Sequence, residues 1–132
     1  MKNSYTSQDR YSMRLEVFEL DKDCIYYLSH PCTTFGDPAA NRYAAAIYER
    51  CLSDMHQITM INPIVIIPVN TEDSVAMIMC RKMFDVCGAI IMCPNWDKSK
   101  GCNEEFQWAL QDNKPIYILN QDLTVFRYEL AG

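Results

Sequence analysis

Residues 88–119 constrain the fold more than any other part of the chain, because two apolar runs flank one amphipathic stretch there. The runs 88–93 and 115–119 carry no charged residue, which is typical of parallel strands that are covered on both faces. Between them, apolar residues recur at the spacing of one helix face, at Cys102, Phe106, Ala109 and Leu110. Pro115 ends that helix, since proline cannot continue it. The segment therefore predicts a right-handed β-α-β crossover.

The loop 95–100, between the first run and the helix, is where we expect a ligand. Ligands of open α/β sheets bind at the carboxyl ends of the strands, and this loop follows such an end. Ser99 lies in the loop, and Glu105 follows it by six residues, about one turn into the helix. The positive potential of a helix N-terminus favours an ionised carboxylate. The alternative interpretations are an exposed helix glutamate and a serine that only caps the helix.

The rest of the chain continues the alternation of strands and helices. We expect a central strand at 24–28, and Asp37 followed by Pro38 predicts a helix start. The stripe that this helix is expected to bury consists of Ala40, Ala44, Ile47, Tyr48 and Cys51. The other expected elements are an edge strand at 13–20, a strand at 57–62, a loop or short extended segment at 63–70, a helix from 73 to about 86, and an element of open type at 123–130.

This order predicts an α/β fold with four or five mainly parallel strands and helices on both faces. We expect residues 23–132 to form a single domain. Residues 1–22 are expected to form an N-terminal extension that contains the edge strand, and its polar residues 1–12 are expected to be frayed.

Composition argues against several classes of function. The net charge is -5 and no basic stripe is present, so we expect no nucleic-acid polymer as a partner, although a single nucleotide needs only a few donors. Seven cysteines without a C-x-x-C pair and two histidines predict buried, reduced thiols in a cytoplasmic protein, with no metal site. No apolar stretch reaches the ~20 residues of a membrane helix. We expect neither a cofactor nor a membrane partner.

Five short motifs within residues 24–119 carry a resemblance to a known family. They are Y-L-S-H-P-C-T at 27–33, Asn41, I-N-P at 61–63, C-G-A-I-I at 87–91, and N-W-D-K-S-K-G at 95–101 followed by Glu105. Together they resemble the nucleoside 2-deoxyribosyltransferase-like superfamily, and within it a small bacterial and phage branch. Members of that branch typically read Y-L-x-G-P-x-T, N-P, C-D-A-I and G-W-x-x-S-x-G-x-x-x-E. The W-x-x-S-x-G-x-x-x-E segment is the most specific of these motifs.

The resemblance implies a Rossmann-like or flavodoxin-like three-layer fold and N-glycosidic chemistry on nucleosides or nucleotides. It assigns Glu105 as the nucleophile that attacks the sugar C1′, and Ser99 as a residue that holds a 5′-phosphate or the sugar. The substrate-binding residues that it implies are Tyr27, Ser29, His30, Asn41, Trp96, Ser99 and Gly101. The resemblance also implies a homodimer. A carboxylate suits this chemistry, because it stabilises an oxocarbenium-like centre and can trap it covalently.

The chain departs from the family pattern at three positions. Gly88 and Cys80 stand where members have aspartates that orient the nucleophile or protonate the leaving base, and His30 replaces a glycine. The nearest substitutes for the missing acids are Glu104, Asp97 and His30 itself. These departures motivate a second hypothesis, a nucleotide-binding module without turnover, and a third, an interaction protein with a vestigial crevice. Trp96 is interpreted either as a stacking wall for a base or as a hydrophobic cover for the loop.

Overall fold

The computed structural model describes residues 12–33 and 37–130, which form a six-stranded sheet with helices packed against it. The strands are β1 (Ser12–Val17), β2 (Ile25–Ser29), β3 (Thr59–Ile61), β4 (Ala89–Met92), β5 (Ile116–Leu119) and β6 (Val125–Leu130). The helices are α1 (Pro38–His56), α2 (Pro63–Ile66), α3 (Asp73–Asp85) and α4 (Lys100–Gln111), and a 3-10 turn at Trp96–Lys98 precedes α4. The prediction for residues 1–11 lies outside the described residues.

The strand order is β1-β6-β5-β4-β2-β3, and the sheet is of mixed orientation. The α/β class is confirmed, but the expectation of four or five mainly parallel strands is wrong. Neighbours from β3 to β5 are parallel, whereas β6 is antiparallel to both β5 and β1. β6 follows β5 through a tight turn in which the Leu123 N–H donates to Asn120 O at 2.9 Å. So short a connection joins antiparallel strands, because parallel neighbours need a crossover of about a dozen residues.

Three further predictions can be compared with these elements. The edge strand is confirmed, since β1 lies at one end of the sheet and pairs only with β6. The central placement of β2 is wrong, because β6 and β1 extend the sheet beyond β5 and leave β4 and β5 in the middle. The segment 63–70 begins with the helical turn α2 instead of a loop, and Pro63 suits the first helical position because its φ is already that of a helix.

The two faces of the sheet carry separate hydrophobic cores. Alternation along a strand sends Tyr27 to one face and Tyr26 to the other. The Tyr27 face is covered by α3 and α4, which contribute Phe84 and Phe106. The Tyr26 face is covered by α1 through Leu52. Helices on both faces were expected, and no helix among the described residues is both long and apolar enough to cross a membrane.

Helix α1 begins as predicted but buries a different stripe. The Asp37 carboxylate accepts from the Ala40 N–H at 2.7 Å, which confirms the N-cap. The buried residues are Asn41, Ala45, Leu52 and His56, whereas Ile47 is 43% exposed. Asn41 is buried, and its side chain donates to the Cys32 carbonyl at 2.7 Å. The buried face lies about one position from the predicted one, because Leu52, rather than Cys51, packs into the core on this face of the sheet.

Candidate functional site

A cleft of about 400 Å³ lies at the carboxyl end of β2, the strand that pairs with β4. From β2 the chain crosses to β3 on one side, and from β3 it returns to β4 on the other side. The strand order therefore reverses between β2 and β4, which is where open α/β sheets bind ligands. The cleft is lined by the end of β2, the starts of α1 and α4, one face of α3 and the segment that begins with α2.

Glu105 lies in this cleft, with only 7% of its surface exposed. The hydroxyl of Tyr27 donates to Glu105 Oε2 at 2.5 Å, and the hydroxyl of Ser29 donates to Oε1 at 2.6 Å. Both donors come from β2, so the strand and α4 fix the carboxylate from opposite sides. The exposed-glutamate interpretation is therefore wrong.

The carboxylate is poised to change charge near neutral pH. Burial raises the pKa of Glu105 to about 7, and the hydrogen bonds from Ser29, Tyr27 and Cys80 oppose that rise. Burial and the neighbouring charge of Glu105 raise the pKa of Tyr27 well above its usual value, so Tyr27 remains a donor. A partly ionised carboxylate that faces a cleft has the properties of a nucleophile or of an acid–base catalyst.

The start of α4 forms the next part of the site. Ser99 caps the helix by accepting from the Cys102 N–H at 3.3 Å, and it also lines the cleft. Gly101 lines the cleft as well, and a Cβ atom at this position would meet no heavy atom within 4 Å. The glycine therefore leaves open space beside the helix N-terminus, where backbone N–H groups attract an anion.

His30 lies at the junction of two cavities, and Asn41 lines one of them. His30 lines the cleft and also a smaller cavity of about 170 Å³, whereas Asn41 lines only the smaller one. His30 Nδ1 lies 2.7 Å from the Pro31 carbonyl, which can only accept, so Nδ1 carries the proton and Nε2 is an acceptor. Burial lowers the pKa of His30, which favours the neutral ring. His30 is thus a poor substitute for the missing acid.

Trp96 does not lie on the cleft. It is 3% exposed and stacks on Phe106 with ring centroids 4.8 Å apart and an interplanar angle of 17°. Of the two interpretations, the structure supports the hydrophobic cover, because the ring is buried in the core under the loop. Its predicted role as a substrate-binding residue is not supported by this placement.

The two positions that lack an aspartate differ in their distance from the site. Gly88 precedes β4, at the amino edge of the sheet, where its N–H donates to the Ile25 carbonyl. A Cβ atom on Gly88 would lie 3.0 Å from Cys24 Sγ, so that sulfur occupies the space of a side chain. Cys80, in contrast, lines the cleft and makes a hydrogen-bonding contact with Glu105. Only the Cys80 substitution therefore changes the chemistry of the cleft.

Arg42 and Asp73 also line the cleft, although neither was among the predicted site residues. Arg42 follows Asn41 on α1, and no motif singled it out, although a cation one residue from a predicted site residue was a usable signal. Asp73 lies on the same helix face as Cys80, seven residues before it, and the sequence ranked it behind nearer acids because it is two turns away. Within residues 12–33 and 37–130, no group of three or more His, Cys, Asp or Glu side chains is arranged to hold a metal ion.

A protein-family model matches most of the chain. The model of the family described as "Domain of unknown function (DUF4406)" matches residues 25–118. The chain belongs to this family. No curated protein and no solved structure matches the chain. The DUF4406 region runs from β2 into β5, so it contains Glu105, both of its hydroxyl donors and the start of α4.

Proposed function

We propose that this DUF4406 protein is a nucleoside 2-deoxyribosyltransferase-like enzyme that cleaves the N-glycosidic bond of nucleosides or nucleotides. The observation that carries the proposal is the buried Glu105 carboxylate, held by Tyr27 and Ser29 inside a 400 Å³ cleft. With this function we propose the finer fold assignment, a Rossmann-like or flavodoxin-like three-layer fold extended by β6 and β1. We also propose a homodimer, which sedimentation velocity would test.

The reaction begins with an ionised Glu105. Its carboxylate oxygen attacks the sugar C1′, and the bond between C1′ and the base nitrogen breaks with its electron pair remaining on the base. A glycosyl ester with Glu105 results, and water or a second base then attacks C1′ and releases the carboxylate. Tyr27 and Ser29 hold the carboxylate in one orientation, which is what a nucleophile needs. A 5′-phosphate, when present, fits the space beside Gly101 and the Ser99 hydroxyl.

The test is release of free base from a panel of nucleosides and 5′-monophosphates, followed by chromatography. The wild-type protein should release base from at least one compound, and Glu105→Gln should lower the rate by at least about 10³-fold. Glu72→Gln is the matched control, because Glu72 is an exposed glutamate that does not line the cleft. No release from any compound, or equal activity of Glu105→Gln, would refute the proposal.

A second function, nucleotide binding without turnover, is favoured by one observation. Cys80 contacts Glu105 where relatives are expected to have an acid, and burial raises the pKa of this thiol to about 11. Such a thiol is a weak proton donor for a leaving base. Calorimetric titration distinguishes the two functions, since a sensor would bind a nucleotide tightly and release no base from it.

A further inference from the structure

Two oppositely charged side chains lie on the outer part of the cleft, away from Glu105. Arg42 projects from α1, and Asp73 is the first residue of α3. Both lie within electrostatic reach of the Cys32 thiol, on which their charges act in opposite directions. The wall between them is apolar and includes Ile64, Ile67, Val69, Ala76 and Met77. A flat ring would thus meet apolar surface, with one donor and one acceptor group at its edge.

The Arg42 guanidinium is held in place by backbone carbonyls. It donates through Nη1 to the Ile67 carbonyl at 3.2 Å and through Nη2 to the Val65 carbonyl at 2.9 Å. A guanidinium has five N–H donors, so these two bonds leave others for a ligand. No carboxylate of the described residues lies within ion-pair distance of Arg42. Arg42 therefore offers a fixed, uncompensated donor to the cleft.

Asp73 supplies the complementary acceptor. It shares a helix face with Cys80, seven residues away, and at the rise of an α-helix the two are about 10 Å apart. Because Cys80 contacts Glu105, Asp73 is too distant to act on the sugar C1′. The Asp73 carboxylate is exposed and makes no ion pair with the described residues, so both of its oxygens are available to a ligand at the cleft mouth.

We infer that Arg42 and Asp73 recognise the base, with Arg42 donating to a ring carbonyl oxygen and Asp73 accepting from the adjacent ring N–H. This inference rests on the proposed function. The preferred substrates are then nucleosides of oxo bases, such as uracil and hypoxanthine. Cytosine and adenine present an amino donor to Arg42 and an unprotonated ring nitrogen to Asp73, so both contacts become repulsive.

The same arrangement assists the departure of the base. When the bond from C1′ breaks, its electron pair remains on the base, and an oxo base spreads that charge onto its carbonyl oxygen. The Arg42 guanidinium stabilises the developing negative charge there. This contribution matters because Cys80 and His30 are poor proton donors, as described above.

The test uses compounds that differ only at this edge: inosine 5′-monophosphate against adenosine 5′-monophosphate, and deoxyuridine against deoxycytidine. Dissociation constants come from calorimetry and base release from chromatography. The wild-type protein should prefer the oxo member of each pair by about 10- to 100-fold. Asp73→Asn and Arg42→Gln should each reduce this ratio towards one. A merely structural role would weaken both members equally and leave the ratio unchanged.

Matched controls are Glu72→Gln, beside Asp73 and outside the cleft, and Arg50→Gln on the exposed side of α1. Both should keep the wild-type ratio. Arg42→Gln removes the donor to two carbonyls. If this variant does not fold, the ratio measured for Asp73→Asn tests the inference by itself. Release of base without an oxo preference would overturn this inference and leave the proposed function standing. Neither binding nor release with any base would overturn both.

Discussion

Replacing Tyr27 by phenylalanine tests the idea that the strand-borne hydroxyl stabilises the charged form of Glu105. The substitution keeps the buried ring, which packs edge-on against Phe84, and removes the hydroxyl that donates to Glu105 Oε2 and contacts the Cys80 thiol. A hydrogen bond to a charged group contributes about 1.5–3 kcal/mol. At about 1.4 kcal/mol per pH unit, the pKa of Glu105 should rise by about one to two units from its value of about 7.

The consequence for activity follows from the ionised fraction of Glu105. At pH 7 about half of the wild-type carboxylates are ionised, and in Tyr27→Phe the fraction should be about a tenth to a hundredth. A reaction that needs the ionised carboxylate should slow at pH 7 by the ratio of these two ionised fractions. The rate should recover as the pH is raised, because the nucleophile is restored by deprotonation.

The assay is titration of the glutamate carboxyl signals by NMR, with Glu105 assigned through Glu105→Gln, and it needs no substrate. Tyr26→Phe is the matched control, since the Tyr26 hydroxyl accepts from the Asp21 N–H on the opposite face of the sheet. Tyr26→Phe should leave the pKa of Glu105 unchanged. An unchanged or lower pKa in Tyr27→Phe would refute the reasoning.

Three further predictions concern stability. The folded pKa of Glu105 is about 7 against an ordinary value of 4.5, so the free energy of unfolding should fall by about 3 kcal/mol as the pH rises through this window. Glu105→Gln should remove that slope in urea titrations, and an identical slope would contradict the assignment. Gly88→Ala should cost up to about 1 kcal/mol, because the added Cβ displaces Cys24 Sγ, the end of a half-buried side chain, measured by thermal unfolding. An additive loss in the double variant with Cys24→Ala would count against this cause. Asp37→Ala should cost about 1 kcal/mol by removing the α1 cap, whereas Asp37→Asn should be nearly neutral.

Local patterns were sufficient for most elements of the fold. The crossover from β4 through α4 to β5 was predicted from apolar runs and helix spacing, because buried strands and amphipathic helices must match their environment. The cap at Asp37 was predicted for the same local reason. Two features were not predicted: the tight turn after β5 makes the last strand antiparallel, and α1 buries a stripe that includes Asn41 and Leu52.

The candidate site divides in the same way. Glu105 and Ser99 could be selected from the sequence, since their spacing along one helix is a local property. The two hydroxyl donors of Glu105 are 78 and 76 residues away, and sequence reasoning named Tyr27 and Ser29 without their contact to it. Trp96 was predicted to bind substrate, but it packs in the core, where its ring stacks on the ring of Phe106 from α4.

The sequence by itself determined the alternation of strands and helices, the carboxyl-edge loop and the identity of its acid. Only the tertiary structure decided that this acid is buried, that its pKa lies near neutrality, and that Arg42 and Asp73 share its cleft. The physical reason is that secondary structure depends on neighbours within a few residues. Burial and electrostatic environment, in contrast, depend on groups that the fold brings together from distant parts of the chain.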